Sequence, residues 1–329
     1  MKHFLSLSIV LLTLLLPGTA AAAAVDITIN GVEYRIYYTG ERSSAVGTYA
    51  SAGSQKDLIL SGSVSIQSTA TGTIYWYEKD EDGHDVLRSK SITAPVTEIY
   101  SFANSNITDI YLPESIDFIY YNAFEGCNSL THITIPGSVR YICAQVFLNC
   151  ENLTTVTWNA RNCGEPWQRH LYDPYNDGLW GGSPIKRIII GEEVESIGNH
   201  VFDTGEWCYG IFNENGYGGV EQIISKAITP PTIDALTFSY YGNCRSLSVP
   251  VQSLQAYKNA PYWKGIFFNI RAIGDANDDG NVNIDDVTEL IDIMLSMNTP
   301  ENNYADVDGD GRVSIDDVTE LIDMILKGN

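Results

Sequence analysis

Asn122-Ala123-Phe124-Glu125-Gly126-Cys127-Asn128-Ser129-Leu130-Thr131-His132-Ile133-Thr134-Ile135-Pro136 is matched, at an offset of 23 residues, by Gln145-Val146-Phe147-Leu148-Asn149-Cys150-Glu151-Asn152-Leu153-Thr154-Thr155-Val156-Thr157-Trp158. The repetition is too long for chance, and it decides the architecture of the middle of the chain. In Leu-x-x-Ile-x-Ile the alternate apolar side chains point to one side, as in a short strand facing a core. One period upstream Ile107-Thr108-Asp109-Ile110-Tyr111-Leu112-Pro113 keeps the phrase, and Ile185-Lys186-Arg187-Ile188-Ile189-Ile190 resumes it downstream after an extra loop. A second apolar phrase, Val139-Arg140-Tyr141-Ile142 and Val194-Glu195-Ser196-Ile197, carries the chain round to the Ala-Phe or Val-Phe that closes the coil. One coil cannot bury its own apolar face, so coils stack and share it. The expected fold of this part is a β-rich solenoid with a parallel strand ladder along one side.

The phrase Asn122 to Leu130 followed by Ile133-Thr134-Ile135-Pro136 resembles the BspA-like class of bacterial leucine-rich repeats. Thr229-Pro230-Pro231-Thr232 through Leu247-Ser248-Val249-Pro250, Leu254-Gln255-Ala256-Tyr257, Tyr262-Trp263 and Phe268-Asn269-Ile270 resemble the terminal cap of such arrays. The resemblance covers residues 95–273. It implies a cell-surface or secreted interaction scaffold and brings no catalytic residues with it.

Residues 25–94 hold alternating runs, Asp26-Ile27-Thr28-Ile29, Tyr34-Arg35-Ile36-Tyr37-Tyr38 and Thr73-Ile74-Tyr75-Trp76-Tyr77, separated by Gly and Ser. They read as strands, either degenerate first coils with an N-terminal β cap or a separate β module. The cap is favoured because an array needs its apolar end covered. Glu81-Asp82-Gly83 reads as a hairpin end. The stretch from Asn159 to Pro184 breaks the rhythm and carries Trp167, His170, Tyr172, Tyr175 and Trp180. It reads either as an aromatic contact surface for a glycan or protein, or as a loop that folds its rings back on the coil.

The first 24 residues read as a secretory signal peptide: Lys2 and His3, an apolar run from Phe4 to Leu16, the break Pro17-Gly18, and small residues through Ala24. The apolar run is shorter than the ~20 residues that span a bilayer. The expected protein is therefore exported, secreted or at the cell surface, without membrane insertion. An even count of six cysteines in an exported chain permits disulfides. Cys127 and Cys150 occupy one repeat position, which favours buried free thiols; Cys163 and Cys208 are the better bridge candidates. The formal net charge is −22, and the stretch from Gly274 onward holds 15 of the 41 acidic residues but only 2 of the 19 basic ones. That balance excludes nucleic acid and anionic membrane surfaces as partners, since both need a basic face.

The acidity is concentrated in a pattern written twice. Asp275-Ala276-Asn277-Asp278-Asp279-Gly280-Asn281-Val282-Asn283-Ile284-Asp285-Asp286 returns 31 residues later as Asp306-Val307-Asp308-Gly309-Asp310-Gly311-Arg312-Val313-Ser314-Ile315-Asp316-Asp317. Oxygen ligands at positions 1, 3, 5, 7 and 12 with Gly at 6 are what a 12-residue Ca²⁺ loop needs. The candidate ligands are Asp275, Asn277, Asp279, the Asn281 carbonyl and Asp286 for one ion. For a second ion they are Asp306, Asp308, Asp310, the Arg312 carbonyl and Asp317. Asn283 and Ser314 at position 9 are placed to act through water. An apolar stripe follows each loop: Val287, Leu290, Ile291, Met294 and Leu295, then Val318, Leu321, Ile322, Ile325 and Leu326.

No amphipathic helix precedes either loop, and position 12 is Asp. Loop then helix, doubled over residues 274–329, resembles the type I dockerin. The resemblance implies a small all-α calcium-binding module and a cohesin-like partner. In that family loop positions 10 and 11 and helix positions 17 and 18 touch the cohesin. Those are Ile284, Asp285, Ile291 and Asp292, and Ile315, Asp316, Ile322 and Asp323; Ile-Asp stands where Ser-Thr and Lys-Arg are usual. The two sets are identical, so docking either way round is expected. The whole reads as an exported, non-catalytic interaction protein, its repeat body binding a host or bacterial surface protein or a glycan. The alternatives are a carbohydrate-active enzyme carrying a dockerin, and a calcium module that only caps its own solenoid. His132, His170 and His200 form no local pattern with a nucleophile.

Overall fold

The computed structural model describes residues 23–30, 32–38, 48–54, 60–164, 178–202, 220, 222–238, 246–267, 269–296, 305–310 and 312–327. The signal-peptide run, Trp167, His170, Tyr172, Tyr175, Cys208, Cys244 and Gly311 lie outside the described residues.

Three strands open the chain: β1 (Ala23–Ile29), β2 (Val32–Tyr38) and β3 (Thr48–Ser54), paired antiparallel in sequence order. β4 (Ser61–Ser65) precedes a long hairpin of β5 (Thr69–Lys79) and β6 (Asp85–Ile99). The hairpin turns where expected: Gly83 has φ 84° and Asp80 Oδ1 accepts from the Asp82 and His84 amides at 3.0 and 2.8 Å. The far end of β6 pairs in parallel with β3 on one side and with β8 (Phe118–Ile119) on the other, after β7 (Asn106–Tyr111) has paired with β4. The opening strands therefore run on into the coils, and one apolar core extends from Val32 to Ile270.

The main ladder is parallel throughout. β9 (His132–Ile135), β11 (Thr155–Trp158), β13 (Arg187–Ile190), β15 (Gln222–Ser225), β16 (Ser246–Val249) and β17 (Asn269–Ala272) lie side by side. The register joins Ile133, Val156, Ile188, Ile223, Leu247 and Ile270, all turned into the core. Two-residue strands mark the second side of the coil: β8 with β10 (Tyr141–Ile142), and β12 (Asn162–Cys163) with β14 (Ser196–Ile197). Helices α1 (Leu254–Asn259) and α2 (Trp263–Ile266) close the array, with Trp263 Nε1 donating to the Pro231 carbonyl at 2.8 Å.

The repeated phrase has a backbone reason. Phe102, Phe124, Phe147, Trp180, Phe202 and Phe238 form one continuous stack, neighbouring ring centroids lying 4.8 to 6.2 Å apart. Two residues before the ring, Asn122, Gln145 and His200 have φ of 56°, 59° and 61°; two after it, Asn104, Gly126, Asn149 and Gly182 have 59°, 65°, 56° and 73°. Phe124 and Phe147 are thus each clamped between two left-handed turns, and Phe102, Trp180 and Phe202 each adjoin one, a conformation that Gly and Asn tolerate best. Trp180 belongs to this stack, fully buried, with Nε1 on the Val201 carbonyl at 2.7 Å. Of the two readings of this loop Trp180 follows the second, its ring folded back on the coil: Leu179-Trp180-Gly181-Gly182 stands where Ala123-Phe124-Glu125-Gly126 stands in its coil.

Cys127 and Cys150 are buried free thiols, donating to the Phe102 and Phe124 carbonyls at 3.2 and 3.0 Å. Cys163 is also free, its side chain turned inward from β12. Cys208, its candidate bridge partner, lies outside the described residues.

Helices α3 (Ile284–Ser296) and α4 (Ile315–Lys327) pack over a small separate core of Ala276, Val287, Leu290, Ile293, Ala305, Val307, Val318 and Leu321. The expected stripes need correction. Ile291, Leu295, Ile322 and Leu326 are exposed, because the helices turn their i, i+3 row of Val287, Leu290 and Ile293, and of Val318 and Leu321, onto the loops.

Candidate functional site

Each loop is tied by its last carboxylate. Asp286 Oδ1 accepts from the Ala276 and Asn277 amides at 2.9 and 3.2 Å, and Oδ2 from Asn283 N at 2.8 Å. Asp317 repeats this with Val307 N and Asp308 N at 2.6 and 3.1 Å, and Ser314 N at 2.7 Å. Asn283 Oδ1 and Ser314 Oγ in turn accept from the Asp285 and Asp316 amides at 2.8 and 3.1 Å. These are capping boxes, so the position 9 side chains start the helices. The sequence reading missed that role, although Asn or Ser three residues before a carboxylate signals it.

The remaining candidates curl each loop. Asp279 N donates to Asp275 Oδ1 and Asn277 Oδ1 at 3.0 and 2.9 Å, and Gly280 N to Asp275 Oδ2 at 3.1 Å. Asn281 N meets Asp279 Oδ1 at 2.8 Å; Arg312 N meets Asp310 Oδ1 at 2.7 Å, and Asp310 N meets Asp308 Oδ1 at 2.8 Å. Gly280 has φ 86°, which explains the glycine at position 6. Asp275, Asp286, Asp306 and Asp317 are buried, and Asp306, Asp308 and Asp317 each bring one oxygen within 4.8 Å of the others. Burial first, then the charges of Asp286 and Asp278, pushes the Asp275 carboxyl up; burial and Asp308 do the same to Asp317. Hard oxygen donors, converging in the second loop and partly withdrawn from water, suit a divalent cation of the calcium type.

The second loop is also seated on the solenoid. The Arg187 guanidinium forms an ion pair with Asp306 Oδ2, the two side chains being 8% and 0% exposed, and its Nη1 donates to the Gly309 carbonyl at 3.2 Å. Lys226 Nζ donates to the Asp308 carbonyl at 3.3 Å, and Arg271 pairs with Asp278 of the first loop. In β9 and β11 alternate residues face out, whereas every residue of β13 and β15 is buried. The loop supplies that cover: a methyl on Gly309 would lie 3.7 Å from both Ile189 and Ile224.

Away from the seat the two helices show the same face twice. Ile284 and Ile315 are 64% and 62% exposed, Ile291 and Ile322 40% and 39%, and Asp285, Asp292, Asp316 and Asp323 are exposed as well. Leu295 and Leu326, at 76% and 78%, extend each set. Sequence reading assigned both leucines to the core.

The type I dockerin family matches residues 273–326, and the BspA type leucine rich repeat region matches residues 87–165 in 6 copies. The chain joins BspA-type repeats to a type I dockerin domain. No curated protein matches it. A leucine-rich repeat protein from Bacteroides ovatus, known from its crystal structure, is 13% identical over 75% of this chain and 76% of its own, at a TM-score of 0.20.

Dockerin domains bind calcium, and the donor set just described fits that ion. A dockerin implies a cohesin partner, so the architecture contains a cohesin-binding module. Among the described residues no helix is long and apolar enough to cross a membrane.

Proposed function

We propose that this is an exported, non-catalytic interaction protein, fastened through its dockerin to a cohesin and presenting its repeat body to a surface protein or glycan. The observation that carries the attachment is the duplicated exposed face, Ile284 with Ile291 and Ile315 with Ile322, left uncovered by the solenoid. Calcium at Asp275, Asn277, Asp279, Asn281 and Asp286, and at Asp306, Asp308, Asp310, Arg312 and Asp317, would hold the loops that aim this face. The ion supplies charge and geometry only; the chain's own capping boxes orient the helices.

The repeat body offers aromatic surface of its own: Tyr100, Tyr111, Tyr121 and Tyr141 are exposed, and Arg140 lies over the Tyr141 ring at 5.8 Å. Flat rings with polar tips suit protein and glycan contacts alike. The thiols are not nucleophiles, since burial pushes Cys127 up to about 11 and Cys150 and Cys163 up to about 12. The signal-peptide pattern of residues 1–24 and the extracellular setting of dockerin proteins support an exported location.

The test is binding of the full chain to a panel of type I cohesin domains, with calcium and with a chelator. Binding to at least one cohesin only when calcium is present supports the reading. Failure with every cohesin refutes the attachment and leaves the dockerin as a cap on its own solenoid.

A further inference from the structure

The two loops are near copies in sequence but not in surroundings. At the first, both Asp275 oxygens take backbone amides, and the cation placed beside the loop, Arg271, pairs with Asp278, which is no candidate ligand. At the second, the Arg187 guanidinium lies directly against Asp306, the first candidate ligand, in a nearly dry contact, and also holds the Gly309 carbonyl.

We propose that Arg187 is an outer-sphere counter-cation of the second calcium site, so that the ion and the repeat body compete for the charge of Asp306. The proposal rests on the second loop being a calcium site. A guanidinium keeps its charge at every working pH. Where water is excluded, two cations drawn to one carboxylate repel strongly. The second site therefore binds calcium more weakly than the first, although its ligand set carries one more carboxylate, Asp308 in place of Asn277. By reciprocity, calcium at the second loop loosens the seat on the solenoid by the same factor as the seat weakens calcium. The first site fills first and folds the helix pair, and the second then acts on the seat.

Calorimetric calcium titration of the full chain tests this, comparing Arg187→Gln, Lys226→Gln and Arg271→Gln with the unaltered protein. Two ions of unequal affinity are expected. Arg187→Gln should strengthen the weaker step about tenfold, within the usual range of coupling between sites, and leave the stronger step within twofold, which also shows that the variant folds. A purely structural role would weaken binding instead. Arg271→Gln should leave the weaker step unchanged, and Lys226→Gln, which touches only a carbonyl, should strengthen it less than Arg187→Gln. Equal affinities in the unaltered chain, no gain in Arg187→Gln, or an equal gain in Lys226→Gln would overturn the inference alone. Absence of calcium binding would overturn the calcium reading along with it.

Discussion

Ile291 of α3 and Ile322 of α4 stand 31 positions apart and are exposed to the same degree, 40% and 39%. Ile284 and Ile315 match in the same way, so the dockerin carries two equivalent faces related by an approximate two-fold. Ile291→Asp or Ile322→Asp alone should leave cohesin affinity within about threefold, because the other face still docks. The double variant should lose binding by a hundredfold or more, since a buried apolar anchor becomes an unpaired charge, about 3 kcal/mol or more. Surface plasmon resonance decides it; loss in one single variant would show that only one face works.

Calcium removal should be felt by α3 and α4 first. Among the described residues their core has eight buried apolar side chains, against more than fifty in the solenoid. A core of that size is marginal without help, and a ligand at a hundred times its dissociation constant adds about 2.7 kcal/mol per site. Far-ultraviolet circular dichroism during heating should show a helical transition that a chelator moves down while the solenoid transition stays. A helical signal indifferent to chelation would refute this.

Gly126→Ala should destabilise the array without touching the dockerin. Gly126 has φ 65°, and an added Cβ would lie 2.5 Å from Asn104 Oδ1 of the preceding coil. Strain and clash together should cost about 1 to 3 kcal/mol. Phe147→Ala, which empties a ring position in the stack, should cost about 3 to 5 kcal/mol. Shifts in the solenoid melting temperature measure both.

Alkaline pH should unfold the solenoid through its thiols. Cys127, Cys150 and Cys163 are raised from the usual 9.0 to about 11, 12 and 12, in each case chiefly by burial. A group whose pKa is raised by folding contributes stability that is complete below pH 9 and is lost as pH climbs through the folded value. Tyr257, raised from 10.0 to about 12 by burial, adds the same slope above pH 10. Melting temperatures recorded from pH 8 to 11 should fall, and a thiol reagent at pH 8 should spare all three cysteines until the chain unfolds.

The strand ladder was legible because its signal is periodic. Leu130-x-x-Ile133-x-Ile135 and its copies put every second side chain inward, and stacking follows from that alone. Trp180 was hidden by the insertion before it, since a ring spaced 33 residues from Phe147 breaks the rhythm that identifies the others. The calcium-loop residues were readable one by one, because ligand chemistry fixes their spacing. The helix faces were not: Leu290 and Ile291 are adjacent and equally apolar, and only the packed loops decide which turns inward. The seat left one sign, the unbroken Ile188-Ile189-Ile190, where Ile189 faces outward from the ladder and meets Gly309.

Arg187 and Lys226 fix the angle between the two parts of the molecule. A dockerin on a loose tether lets its cargo swing. One gripped by its own cargo makes a rigid bracket for as long as the seat outlasts calcium at the second loop, and copies docked through the same face in that state would project their tyrosine-bearing coils in the same direction. Rotating the dockerin by half a turn on its cohesin would then point the whole solenoid the other way, giving one protein two discrete poses on a surface.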